Sequence, residues 1–181
     1  MQKDAFLSND RKKQTEYINA YIKLPQIEIN KIMASEDRSA LPSCTMKADF
    51  AVPDFANKTG SRLFIPLSPI NKGSLNFFSS DRRDYDIHMD KNYSTIDTVI
   101  YNIPELYTIE SLPKDIEINM PFGSFSAKTK WDNNKLIYYQ KIILSSGEYD
   151  KGQYMSIKNF FAQINSAIQR RFVLKLKEGS E

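Results

Sequence analysis

The chain has 181 residues, of which 41% are hydrophobic and 26% charged, and its formal net charge is +3. This length predicts one domain, and the hydrophobic share excludes bulk disorder. The single cysteine excludes an internal disulfide and a metal site built from several cysteines, and the nearly balanced charge gives no indication of nucleic-acid binding.

The sequence also lacks the usual patterns of membrane insertion and export. No apolar run approaches the ~18 residues of a membrane span. The first ten residues include a lysine but no apolar core behind it. We therefore expect no membrane span and no signal peptide in this chain.

The first predicted element is an N-terminal helix. Asn9 or Asp10 can cap it, and Pro25 disfavours its continuation. Its apolar residues share one stripe, at positions 17, 18, 21, 22 and 24. We therefore predict a linker helix within residues 1–25 and a β-sandwich domain over residues 26–181.

From Gln26 onward apolar and polar residues alternate, which is typical of β-strands. The alternating segments are residues 27–30, 44–52, 84–90, 116–120 and 125–131. Residues 95–103 are apolar on both faces, which predicts a central strand. A turn at Asp132-Asn133-Asn134, followed by Lys135–Leu144, predicts a hairpin.

The remaining segments are an irregular stretch and a second helix. Residues 53–80 carry prolines and isolated glycines around a short predicted strand at 62–65. Apolar residues at 154, 157, 161, 164 and 168 step by three and four, which predicts a packing helix at about 152–171. The expected fold class is mainly β with minor α: an antiparallel β-sandwich-like domain with an N-terminal helix and a C-terminal packing helix.

Cys44 and His88 are candidates for a nucleophile and its base. The strand pattern argues against that pairing, because Cys44 shares a face with Met46 and Ala48 while His88 shares one with aspartates. We expect Cys44 in the core and His88 in solvent. This interpretation predicts no catalytic site in the chain and no cofactor.

A second candidate site is the series Asp84, Asp86, His88 and Asp90, whose side chains could ligate a metal ion. Residues on one strand face lie about 6.8 Å apart, too far for one straight strand to supply more than two ligands. The alternative interpretation is a charged, solvent-exposed face.

The 22 aromatic residues could also form a contact surface. Most occupy positions that predict core packing. The exceptions lie in the irregular stretch and nearby turns, and they are our interface candidates: Phe64, Phe77, Phe78, Tyr93 and Tyr107. Such a surface would contact a neighbouring domain, another protein or a glycan.

A succession of short motifs completes the pattern. In chain order they are Val52-Pro-Asp-Phe-Ala, Gly60-Ser-Arg-Leu-Phe-Ile-Pro, Arg82-Arg-Asp-Tyr-Asp-Ile, Ile103-Pro-Glu-Leu-Tyr-Thr-Ile-Glu-Ser-Leu-Pro, Pro121-Phe-Gly-Ser-Phe-Ser and Leu144-Ser-Ser-Gly-Glu-Tyr. The succession resembles the C-terminal domain of unknown function that follows the transglutaminase-like domain in three-part bacterial cell-envelope proteins. Leu106 stands where the common form of this domain has glycine, so the local turn is expected to differ.

The resemblance implies a non-catalytic accessory domain that packs against a transglutaminase-like, papain-fold neighbour in the same polypeptide. It implies a location in the periplasm or cell envelope, and a parent protein whose catalytic-type domain this chain lacks. The alternative function is an extracellular binding module that recognises glycan or protein through the exposed aromatics of residues 55–80.

Overall fold

The computed structural model describes residues 10–22, 24, 26–40, 43–69 and 80–178. The helices in these ranges are α1 (Arg11–Ile22) and α2 (Tyr154–Ile168), and a 3-10 turn at Lys151–Gln153 precedes α2. The strands are β1 (Glu28–Asp37), β2 (Ser43–Ala51), β3 (Asn57–Thr59), β4 (Arg62–Pro66), β5 (Ile87–Met89), β6 (Tyr93–Asn102), β7 (Tyr107–Ser111), β8 (Ile116–Met120), β9 (Gly123–Asp132), β10 (Lys135–Leu144), β11 (Gly147–Tyr149) and β12 (Arg171–Leu176). Neither helix is long and apolar enough to cross a membrane. The mainly β fold class with one helix near each end is confirmed.

The chain divides into two compact units. The first comprises residues 1–55 and 69–72, and the second comprises residues 56–68 and 73–181. The boundary predicted at residue 25 lies inside the first unit. The first strand pair therefore groups with the N-terminal helix.

In the first unit, α1 begins after Asp10, as the sequence predicts. The Oδ1 atom of Asp10 accepts the backbone N–H of Lys12 at 2.9 Å, which caps the helix. The Arg11 guanidinium donates to the carbonyl oxygens of Ile29 and Asn30, at 3.2 and 3.0 Å. These hydrogen bonds connect the first turn of α1 to β1.

β1 and β2 form a two-stranded antiparallel ribbon on which most residues are exposed. Cys44 is exposed on β2, so the prediction of a core cysteine is wrong. Met46 and Ala48 are only half-buried. Alternation along β2 identifies residues that share a face, but neither side of this ribbon is deeply buried.

The second unit contains two four-stranded antiparallel sheets. Sheet I has the strand order β6-β10-β9-β8, and Sheet II has the order β3-β4-β12-β7. β5 and β11 pair as a separate ribbon. Sheets I and II meet at Tyr101 on β6. Its ring packs edge to face on that of Phe172, with 5.0 Å between the ring centroids, and its hydroxyl donates to the Pro66 carbonyl oxygen at 2.6 Å.

The core of the second unit lies on the inner face of Sheet I. Phe125, Leu136 and Tyr138 are almost fully buried there. α2 contacts β8, and Phe160 on α2 meets Phe122, just before β9, edge to face at 5.4 Å. The C-terminal helix thus packs on the sheet, as predicted.

The β9–β10 hairpin matches the sequence prediction. Asn133 and Asn134 form the turn, with φ values of 45° and 61°. Positive φ at both central residues is typical of a type I′ turn, and asparagine tolerates it better than most residues. The strands then pair in register from Lys135 opposite Asp132 to Leu144 opposite Gly123.

The prediction of a central strand at residues 95–103 is wrong. The corresponding strand, β6, lies at the edge of Sheet I. Ile96 and Ile100 are 55% and 57% exposed. Their side of β6 faces away from the core, so apolar character on both faces did not mean burial on both faces.

An ion pair joins two strands of Sheet II that flank β12. Arg62 on β4 donates to both carboxylate oxygens of Glu110 on β7, at 2.6 and 2.7 Å. These hydrogen bonds lower the pKa of Glu110 below its ordinary value of 4.5. A lowered folded-state pKa means that the pair stabilises the fold above the ordinary pKa and loses this effect as pH falls.

We therefore expect Glu110→Gln to lower the melting temperature slightly at pH 7 and progressively less below about pH 4.5. Melting curves of both proteins from neutral to strongly acidic pH measure this difference. Glu105→Gln is the matched control, because Glu105 is exposed and the described residues include no ion-pair partner for it. An equal difference for Glu110→Gln at pH 3 and pH 7 would contradict the assignment.

Candidate functional sites: an open sheet face and a basic cleft

The interface candidates that the structure describes do not form one surface. Phe64 is half-buried on β4, and Tyr107 lies on β7 with its side chain on the opposite face of Sheet II. Tyr93 begins β6 in Sheet I and is 49% exposed. Phe77 and Phe78 lie outside the described residues.

His88 and Asp90 are in contact, but the four candidate metal ligands do not converge on one point. Asp84 binds the Arg82 guanidinium at 2.7 Å, and Asp86 accepts the backbone N–H of Lys151 at 2.9 Å. His88 contacts Glu148 through Nδ1 and Asp90 through Nε2, the latter at 2.9 Å. Among the described residues, no three His, Cys, Asp or Glu side chains are arranged to hold a metal ion.

Cys44 and His88 lie in different units. His88 is exposed, as predicted, and both of its ring nitrogens face carboxylates. A base in a nucleophile–base pair needs one nitrogen directed at the thiol. The contacts of His88 are those of a polar side-chain cluster beside β5 and β11.

The outer side of Sheet I presents an open face that the sequence did not identify. Ile96 and Ile100 on β6 are its most exposed apolar residues. The register places Ile100 opposite Ile137 and Thr98 opposite Tyr139, so the apolar residues of β6 and β10 are contiguous. We define the open face by these and the neighbouring lysines: Ile96, Thr98, Ile100, Ile137, Tyr139, Lys128, Lys130, Lys135 and Lys141.

The open face is basic on one side. Lys128 and Lys130 on β9 are exposed beside Tyr139 and Ile137. Two further lysines lie on β10, and the acidic residues of this side, Glu117 and Asp132, are fewer and lie at its margins. An apolar strip bordered by lysines is complementary to a partner with apolar residues and an acidic rim.

A second concave feature of the second unit is a cleft beside β5. Its lining residues are Arg83, Ile87, His88, Met89, Lys91, Leu144 and Phe161. Ile87 and Phe161 are each 4% exposed and form part of an apolar floor. Arg83 and Lys91 are exposed at the rim. We call this feature the basic cleft.

Helix α2 forms hydrogen bonds with residues 80–81, which precede the basic cleft in the chain. The Tyr154 hydroxyl and the Lys158 ammonium donate to the Ser80 carbonyl at 2.6 and 3.0 Å, and Lys158 also binds Asp81 at 2.7 Å. The Lys158 hydrogen bond lowers the pKa of Asp81. Tyr154 and Lys158 are one helical turn apart, so two neighbouring side chains hold residues 80–81 against α2.

Sequence spacing could not reveal either site. The basic cleft combines residues from three segments, since Leu144 and Phe161 are distant in sequence from β5. The Glu148 partner of His88 is 60 residues away. The one feature of the sequence that could have indicated the open face is the apolar character of both faces of residues 95–103.

Comparison with solved structures supports the β-rich fold. The chain is similar to the crystal structure of a putative protease from Parabacteroides distasonis ATCC 8503, with a TM-score of 0.54 and 13% sequence identity. The likeness covers 65% of this chain and 24% of the other, so the chain corresponds to about a quarter of that longer protein. At this identity the comparison establishes the fold alone.

Comparison with curated proteins found no match. A family model does match: a domain of unknown function with a solved structure (DUF3858), over residues 61–174. The matched range includes Sheet I, α2 and the basic cleft, and it spans more than half of the chain. The chain therefore belongs to the DUF3858 family.

Proposed function

We propose that this chain is a non-catalytic accessory domain that packs, through the open face of Sheet I, against a transglutaminase-like domain of the same polypeptide. The observation that carries this proposal is the exposure of Ile96 and Ile100, at 55% and 57%. Two large aliphatic side chains beside Ile137 and Tyr139 favour burial against another surface.

Two further observations support an accessory role. The solved structure similar to this chain is four times as long as the part matched, which is consistent with a domain that occurs beside others. The motifs quoted above resemble a domain that follows a transglutaminase-like domain in the bacterial periplasm or cell envelope. We extend that arrangement and location to the parent protein of this chain.

The charge of the open face specifies the partner surface. Lys128 and Lys130 border the apolar strip, so the neighbouring domain presents apolar residues edged by Asp or Glu. The contact should weaken at high ionic strength, because exposed charge pairs are screened over about 10 Å at 0.1 M salt.

The test compares this chain alone with the polypeptide of its complete reading frame. We expect backbone amides of β6 and β10 to exchange hydrogen more slowly in the longer protein, because the neighbour covers the open face. Amide exchange measured by mass spectrometry reports this protection segment by segment. Equal exchange rates in both proteins would refute packing through Sheet I.

A pair of substitutions tests whether the exposed isoleucines of β6 make this contact. Ile96→Glu with Ile100→Glu should leave the isolated chain within about 1 kcal/mol of its original stability, since both positions are exposed and each exposed substitution costs about 0.5 kcal/mol or less. In the longer protein the same pair should abolish the slow exchange of β10. Thr108→Glu on β7 of Sheet II is the control and should leave that protection unchanged.

A glycan array distinguishes the accessory-domain proposal from the alternative function. In that alternative the chain is a binding module that uses the aromatics of residues 55–80. The accessory-domain proposal predicts no glycan binding by the chain. Binding that disappears when Phe64, Phe77 and Phe78 are replaced by alanine would favour the alternative.

A further inference from the structure

The basic cleft combines an apolar floor with a cationic rim. Ile87, Met89, Leu144 and Phe161 supply the apolar surface, and Arg83 and Lys91 supply the charge. The cleft has a volume of about 280 Å³. This volume is near the lower end of the 300–1,000 Å³ that is usual for small-molecule sites.

The two rim cations are available to an anion. Among the described residues, neither Arg83 nor Lys91 has a hydrogen-bonded or ion-paired acceptor. Glu148 and Asp90 are the carboxylates nearest the third basic residue, His88, and both contact its ring. Both carboxylates therefore have a contact partner other than the two rim cations.

We propose that the basic cleft binds a medium-chain aliphatic carboxylate. The hydrocarbon tail lies on Ile87, Met89, Leu144 and Phe161, where it leaves water, and the carboxylate lies between Arg83 and Lys91. A guanidinium offers two parallel N–H donors to a carboxylate, which orients the head group. At about 30 Å³ for each small group, the volume accommodates about eight to ten non-hydrogen atoms.

This proposal is independent of the accessory role, because it concerns a different surface of the second unit. The open face lies on the outer side of Sheet I, whereas the cleft lies beside β5. Failure of either experiment therefore leaves the other proposal standing.

Calorimetric titration of the full chain with sodium octanoate tests the site. We expect saturable binding, and an affinity that rises about fourfold for each methylene added from butyrate to octanoate, because each buried methylene contributes about 0.8 kcal/mol. Octanol and octyltrimethylammonium carry the same tail without the anion and should bind at least tenfold more weakly.

Substitutions locate the binding. Arg83→Gln with Lys91→Gln should weaken octanoate binding at least tenfold while leaving the melting temperature unchanged, because both side chains are exposed. Arg82→Gln is the matched control, since Arg82 adjoins Arg83 in sequence but pairs with Asp84 and does not line the cleft. It should leave the affinity unchanged.

Three results would overturn the proposal. They are no binding of octanoate at millimolar concentration, octanoate affinity unchanged in the Arg83 and Lys91 double variant, and binding of a short peptide ending in leucine at least tenfold more tightly than octanoate. The last result would assign the cleft to a peptide carboxylate instead of an aliphatic acid.

Discussion

Replacing Phe160 with alanine is expected to lower the free energy of unfolding by about 3–5 kcal/mol, the usual cost of truncating a buried phenylalanine. Phe160 is 0% exposed on the face of α2 that packs against Sheet I. Its ring contacts those of Phe122 and Phe161, at centroid distances of 5.4 and 5.5 Å. Alanine loses these contacts and leaves a cavity that neighbours on a helix and a sheet cannot easily close.

Urea unfolding of the full chain measures this effect. The midpoint should fall with little change in the slope, because the surface exposed on unfolding is nearly the same. Gln163→Ala on the exposed side of α2 is the control and should change stability by less than about 0.5 kcal/mol. A loss below about 1 kcal/mol for Phe160→Ala would mean that α2 does not pack on Sheet I as described.

The sequence located α2 but underestimated its buried face. Tyr154, Ile157, Phe161 and Ile164 are buried as the three-and-four spacing predicts. Phe160 and Ala167 are buried as well, while the predicted core residue Ile168 is half-buried. A single stripe identifies the centre of a packed face, but its width depends on the neighbouring surfaces, and those come from distant parts of the chain.

The residue types in the β9–β10 turn predicted that turn correctly, whereas the pattern of apolar residues along the strands did not reliably predict which residues are buried. Asn133 and Asn134 specify the β9–β10 turn because both adopt positive φ. By contrast, alternation wrongly places Cys44 in the core, and apolar character on both faces wrongly makes residues 95–103 a central strand. Alternation along a strand groups side chains by face, whereas the number of layers covering that face is decided by tertiary packing.

The candidate sites show the same limit. The sequence offered His88 and its neighbouring aspartates as metal-ligand candidates beside the alternative of a charged exposed face, and in the structure Asp84 and Asp86 bind Arg82 and the backbone of Lys151. His88 contacts Asp90, which the sequence named, and also Glu148, which β11 supplies across the strand pair. A prediction from spacing along one strand cannot include a partner on the next.

Gln140→Leu is expected to destabilise the chain by about 2–5 kcal/mol, because it removes the centre of a buried polar network. Gln140 is 0% exposed on the inner face of Sheet I. Its side-chain carbonyl accepts the Tyr138 hydroxyl at 2.8 Å, and its amide donates to Asp97 at 2.8 Å. Leucine has similar volume but offers neither bond, and each buried polar group that loses a partner costs about 1–3 kcal/mol, with more for a charge.

Burial and the nearby Asp97 charge raise the pKa of Tyr138 to about 12, so its hydroxyl stays protonated and remains a donor at neutral pH. Tyr138→Phe removes that donor alone and should cost less than Gln140→Leu. A double-mutant cycle of the two measures their coupling. We expect the double variant to be less destabilised than the sum of the single variants, because phenylalanine has no hydroxyl to leave unpaired. Strictly additive losses would show that the Tyr138–Gln140 bond contributes little, and that the cost of Gln140→Leu arises at Asp97.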